Sequence, residues 1–173
     1  MGRGASGVKG ISLREGDNVV EMDVLPASNE AVGADETRET VESDAEIVAT
    51  DNRGYMLTVT ERGFGKRTPV SLYPLVHRGG MGVINIKVTD KNGKVAGIAH
   101  VVDDDQLLLI TEQGMIIRTR VRDLRSMGRS TQGVKVINVE ETDRVVAAVK
   151  LVEKEQGDET AAEPTPPPTE SVH

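Results

Sequence analysis

The sequence repeats itself. The stretch MLTVTERGFGKRTPVSLYPLVHRGGMGVINIKV, from Met56, lies over LLLITEQGMIIRTRVRDLRSMGRSTQGVKVINV, from Leu107, without a gap. Leu57 falls on Leu108, Thr60-Glu61 on Thr111-Glu112, and Gly63 on Gly114. Arg67-Thr68 falls on Arg118-Thr119, Val70 on Val121, Arg78 on Arg129 and Gly82-Val83 on Gly133-Val134. The same register carries Val95-Ala96 onto Val146-Ala147. The opening MGRGASGVKGISL, from Met1, joins the series over MGRSTQGVKVINV, from Met127. The first offset is 51 residues and the second 126; recurrence of units of about 50 residues is the mark of stacked supersecondary units, each too small to bury a core alone.

Within a unit the pattern reads as four short strands. In the last one, Leu107 to Thr111 is apolar, Glu112-Gln113-Gly114 is a turn and Met115 to Thr119 returns. That is a hairpin by turn chemistry. A loop rich in Arg, Gly and Ser follows from Arg125 to Gly133. Val134 to Val139 and Arg144 to Val152 then read as a second hairpin around Glu140-Glu141-Thr142-Asp143. Four strands in about 50 residues is the size of a propeller blade. Two linked β-sandwich modules are the alternative, which the gapless repeat disfavours. The expected class is all-β, a propeller-like fragment: a partial blade over 1–25, an acidic insertion over 26–46, and blades over 47–102 and 103–152. A disordered acidic tail over 153–173 completes it. Only two units are complete, so the expectation is a piece of a longer gene product with unpaired edges at its ends.

Composition agrees. With one Phe, two Tyr and no Trp, the core must come from Val, Ile, Leu and Met, and the weight of β-branched residues favours strands. No cysteine is present, which removes disulfides, thiol nucleophiles and cysteine-based zinc sites. No run of 18 apolar residues offers a membrane-spanning helix, and without a signal-like N-terminus the expected location is the cytoplasm. The net charge of −7 conceals a division. Residues 26–46 hold seven acids and one Arg, and residues 153–173 hold six acids and one Lys. The remainder carries 15 acids against 19 bases, a mildly basic body with acidic appendages. The insertion has little to bury and reads as flexible, ending in an extra strand over 47–50, while the Pro-rich EKEQGDETAAEPTPPPTESVH reads as disordered.

The segments GFGKRTPVSLYP (63–74), RGGMGVINIKV (78–88), LLITEQGMIIRTRVRDLRSMGRSTQGV (108–134) and the opening MGRGASGVKGISLREGDNVV resemble the C-terminal domain of the DNA gyrase A subunit. The resemblance covers most of the body, from Met1 to about Val152. It implies a six-bladed β-pinwheel, a propeller variant, of which this chain would hold the last two to three blades. It also implies wrapping of duplex DNA in support of ATP-dependent negative supercoiling. The implied partners are the B subunit, together with the remainder of the A subunit, in an A2B2 heterotetramer. Mg2+ and ATP would serve the whole enzyme, with no cofactor in this fragment. The alternatives are a protein-interaction propeller and the C-terminal domain of the topoisomerase IV A subunit. The family's wrapping box belongs to its first blade, and His77-Arg78-Gly79-Gly80-Met81-Gly82 is a degenerate echo of it. The family's catalytic Tyr lies in another domain, so neither Tyr55 nor Tyr73 inherits that role.

The basic residues recur at matching repeat positions. Lys66 and Arg67 lie after the first hairpin turn, and Arg118 matches Arg67. Arg3, Arg78 and Arg129 share a place in the Gly-rich loop, Lys9 matches Lys135, and Arg120, Arg122 and Arg125 add to the last unit. Residues at one repeat position should land at one height, laying a basic stripe along the outer rim. A single loop arginine is ordinarily solvated or ion-paired, and the repetition of position is what marks this group. Such a stripe suits phosphates, whose contacts with Lys and Arg release counterions regardless of sequence. With no recognition helix and almost no aromatics, base readout and single-strand stacking are not expected. Asp103-Asp104-Asp105 reads as a solvated turn rather than a metal site, and His77, His100 and His173 have no catalytic partner pattern.

Overall fold

The computed structural model describes residues 2–26 and 52–151. The expectations for most of the 26–46 insertion, the 47–50 strand and the acidic tail fall outside these. Seven strands form: β1 (Tyr55–Thr60), β2 (Phe64–Pro69), β3 (Val95–Val101), β4 (Gln106–Thr111), β5 (Ile116–Arg120), β6 (Val134–Lys135) and β7 (Val145–Leu151). The only helical pieces among the described residues are single turns at Val70–Leu72 and Val121–Asp123, directly after β2 and β5. The repeat therefore extends to its turns.

Two antiparallel sheets result, one ordered β3-β1-β2-β6 and the other β5-β4-β7. In the first, Leu57 lies between Arg67 on β2 and Ala99 on β3; in the second, Leu108 lies between Arg118 on β5 and Val149 on β7. Each central strand carries a register shift at one repeat position, between Val59 and Thr60 and between Ile110 and Thr111. The skipped residue is Ala96 on β3 and Val146 on β7, one bulge at the same repeat position of each sheet.

The topology corrects one expectation. Val134 to Val139 does not form a hairpin with the strand after it. β6 leaves its own repeat and pairs with β2, with Gly65 opposite Val134 and Phe64 opposite Lys135. β7 pairs instead with β4. The 140–143 turn is real, with the Asp143 amide donating to Glu140 O at 3.0 Å. The Asp143 carboxylate accepts from the Gln113 and Arg144 amides at 3.1 and 2.8 Å, tying this turn to the β4–β5 turn rather than closing a hairpin. Burial alone would raise the Asp143 pKa, but these bonds and one from Thr111 hold it below the usual carboxylate range. The blade over residues 55–101 is thus completed by a strand from beyond the 47–102 boundary, and the exchange stitches neighbouring units together.

The core is the seam between the sheets. Leu57, Val59 and Val101 from one sheet and Leu107, Leu109 and Val145 from the other are almost fully buried. The sheets meet at Gly97 on β3 and Ala148 on β7. A Cβ on Gly97 would stand 3.4 Å from the Ala148 amide nitrogen. Residues 2–26 form no strand of their own, while the Gly79 amide donates to Gly10 O at 2.6 Å and the Ser12 amide to Gly80 O at 2.8 Å. The segment runs beside the first sheet, where Glu21 and Asp23 carboxylates accept from the Ile98 and His100 amides at 2.8 and 2.6 Å. Two donors of the exposed β3 edge are thereby satisfied by charge rather than by another strand.

Candidate nucleic-acid interface

The exchanged strand decides which basic side chains reach solvent. β2 offers its outer edge to the loop that precedes β6. The Arg67 amide donates to Arg125 O at 3.2 Å, and the Met127 amide donates to Arg67 O at 2.9 Å. Residues 126–129 are consequently buried, with Met127 at 2 % exposure.

Three of the eleven basic residues expected on the rim are buried here, Lys66 and Arg67 under this loop and Arg129 within it. Lys66 is fully buried, and its Nζ donates to Gly128 O and, at 2.7 Å, to Arg129 O. Burial and the nearby Arg129 cation lower its pKa to about 7. Arg67 is buried with its guanidinium 4.5 Å from the Tyr55 ring centre. Its Nε donates to Leu124 O at 2.7 Å, and Nη1 pairs with Asp103. Arg129 is buried with its guanidinium 5.9 Å from the Tyr73 ring centre. The expected stripe is corrected here: Lys66 and Arg67 hold the loop from below, Arg129 is buried within it, and none of the three is exposed on a rim. Asp103 is correspondingly the partner of a buried guanidinium rather than only a solvated turn residue.

Their repeat mates behave differently because no loop covers them. Arg118, at the position of Arg67, is exposed on β5, and Arg78 and Arg3, at the position of Arg129, are exposed as well. Lys9, Arg120, Arg122, Arg125 and Lys135 are also exposed. The β5 residues alternate, so Arg118 and Arg120 project from one face. Gln106, Arg118, Arg120 and Asp123 line a shallow cleft there, and Arg120 and Arg122 line a second with Asp103 and Asp104. Arg118 Nε donates to Gln106. The carboxylates beside this cluster temper its charge. Sequence reasoning missed the exposed Lys87, Lys91 and Lys94 near the β3 turn, whose repeat mates Asn138, Thr142 and Val145 are not basic.

Tyr55 is buried and Tyr73 half-buried. Tyr55 packs in the core beneath Arg67, while the Tyr73 hydroxyl donates to Asn85, with burial pushing its pKa up to about 12. Among the described residues no group of three or more His, Cys, Asp or Glu side chains is arranged to hold a metal ion.

The family model for the DNA gyrase C-terminal domain, a β-propeller, matches residues 1–26, 54–101 and 105–151. The chain belongs to this family. It is 45% identical over 152 residues to the DNA gyrase A subunit of Deinococcus deserti, covering 87% of this chain and 16% of that protein. It is 37% identical over 164 residues to the DNA gyrase A subunit of Haemophilus influenzae, covering 91% of this chain and 18% of that protein. The chain therefore spans less than a fifth of the length of these relatives. A solved DNA gyrase A C-terminal domain superposes with a TM-score of 0.55 at 29% identity, covering 57% of this chain and 33% of that one. The C-terminal domain of DNA topoisomerase IV gives 0.53 at 26% identity, covering 59% and 32%. Between the first two matched segments, residues 27–53 are not matched by the family model.

Proposed function

We propose that this gyrase C-terminal domain chain binds duplex DNA by its phosphate backbone and bends it along the exposed basic faces of its blades. The supporting observation is the clustering of Arg118 and Arg120 on β5 with Arg122 in the turn after it, where shallow clefts leave the side chains accessible to a broad polyanion. Arg125, Lys135 and Arg78 extend the exposed set. Phosphate contacts of this kind position DNA without reading bases. Curving the duplex costs on the order of 1–6 kcal/mol per 20–30 base pairs, which those contacts must offset.

In this reading the chain serves a type II topoisomerase that introduces negative supercoils. The remainder of the A subunit, with the B subunit, supplies strand cleavage and ATP hydrolysis with Mg2+, in the cytoplasm, within an A2B2 assembly. The similarity to the DNA gyrase A subunit over nearly the whole chain supports gyrase. The comparable structural likeness to the topoisomerase IV domain keeps a decatenating enzyme as the second reading.

Fluorescence anisotropy with two duplexes of unrelated sequence tests the proposal. If about six bases meet phosphates, log affinity falls with log salt at a slope near −5, alike for both duplexes. A flat dependence, or a strong preference for one sequence, would overturn it.

A further inference from the structure

The blade over 55–101 and the last blade are built alike and carry their exposed charge at opposite ends. Their turn ends lie side by side, because the Val145 amide donates to Glu61 O at 2.8 Å. Asn92 and Asp143 share a repeat position there, and each is buried and orders its turn. Asn92 accepts from the Thr89 amide at 2.7 Å and donates to Lys87 O and Gln132 O at 2.9 and 3.0 Å, much as Asp143 gathers the Gln113 and Arg144 amides. On this common frame the side chains change sign. The earlier blade presents Arg62, Lys91 and Lys94 where the last has Gln113, Thr142 and Val145, and the last presents Glu140 and Glu141 where the earlier has Thr89 and Asp90. A cleft between them is lined by Arg62, Lys91 and the exchanged Lys135 from one side and by Glu112, Glu140 and Glu141 from the last blade. Those four cations stand against Glu61 and Asp90, whereas Arg144 stands against Glu112, Glu140, Glu141 and Asp143.

The opposite ends reverse this balance. The last blade carries exposed Arg120, Arg122 and Arg125 at the places where the earlier one has Pro69, Ser71 and Pro74. The earlier blade's own base at that end, Arg67, is buried and paired with Asp103. Asp103 also lines a cleft with Arg120 and Arg122, so these ends adjoin as the turn ends do. We infer that a bound duplex crosses the two blades obliquely, from the turn end of the earlier blade to the opposite end of the last, with Glu140 and Glu141 turning it away from a straight course over both sets of turns. This rests on the backbone-binding reading above and deepens it by giving the path. Duplex DNA carries one charge per about 1.7 Å of its axis. A straight course would therefore hold phosphates over the carboxylates, within a Debye length of about 8–10 Å, whereas the oblique course meets cations on both blades. Obliquity also gives a bent duplex a pitch.

The cysteine-free sequence lets a single introduced cysteine carry an iron–EDTA reagent that cuts nearby DNA. D90C and T142C place it at the two turn ends, and S71C and D123C at the two opposite ends. With the full chain saturated by duplex at low salt, D90C and D123C should cut several-fold more than T142C and S71C. E140Q/E141Q should tighten binding by about two-fold per carboxylate at low salt and raise cutting from T142C. Circular dichroism checks that each variant is folded. Anisotropy on the parent separates the two ways of failing, since a parent without salt-sensitive affinity would remove the backbone-binding reading itself. With binding intact, equal cutting from all four positions, or stronger cutting from T142C than from D90C, would overturn the oblique path. Unchanged affinity in E140Q/E141Q would overturn the steering by these carboxylates.

Discussion

Lys66 shows how far one residue's surroundings can depart from what its neighbours in sequence imply. Beside Arg67, in a basic hairpin, it reads as a phosphate contact; in the fold it is a buried donor to two loop carbonyls. Replacing it with Met keeps the bulk and leaves both carbonyls without a donor. An unsatisfied buried group costs about 1–3 kcal/mol, so K66M should lose at least that much in urea unfolding. The pH dependence has a definite sign. The folded pKa of about 7 lies below the ordinary 10.5. Between those values the unfolded chain keeps a proton that the folded chain has released, so the stability due to Lys66 rises with pH across this window. A neutral amine still carries two hydrogens for two acceptors. The difference in unfolding free energy between the parent and K66M should therefore widen from pH 7 to pH 10 at constant ionic strength. A constant or narrowing difference would contradict it. None of this was legible from composition, because the acceptors lie 62 and 63 residues away.

At the scale of elements, the repeat and turn chemistry were legible and the strand partners were not. Periodicity and the Glu-x-Gly turns mark β1, β2, β4 and β5 because local sequence sets strand and turn geometry. The partner of β6 depends instead on which edge lies open beside it, and the short 140–143 turn favoured the wrong neighbour. Gly63 and Gly114 expose the difference. Both sit at one repeat position with φ near +80°, at +76° and +87°. A Cβ on Gly63 would lie 2.4 Å from Ile137 O, while one on Gly114 would meet nothing within 4 Å. Gly63 O also accepts from the Val136 and Ile137 amides at 2.9 and 3.2 Å. Gly114→Ala should cost only the left-handed backbone penalty of about 1–2 kcal/mol. Gly63→Ala should cost more and selectively speed amide exchange of Val136 and Ile137. Equal losses in the two variants would mean that the exchanged segment is not held there.

For the whole molecule, the division of charge was legible and the position of the bases was only partly so. Repeat position predicts equivalence, but Arg67 is covered by the next repeat and Arg118 is not. The acidic residues after Val152 should compete with DNA for the exposed bases. Deleting 153–173 should therefore tighten binding at low salt and leave the unfolding midpoint of the body unchanged, an effect that anisotropy and urea titration can separate. The central claim is that cover by the neighbouring unit, rather than place in the repeat, selects the bases that meet DNA. Its most direct measurement is the salt slope of duplex affinity for R118Q and R67Q, each kept folded well below its unfolding midpoint. R118Q should make the slope shallower by about 0.9, one phosphate contact, while R67Q should leave the slope unchanged and lower only the stability. Equal reductions in both variants, or a loss confined to R67Q, would contradict the account.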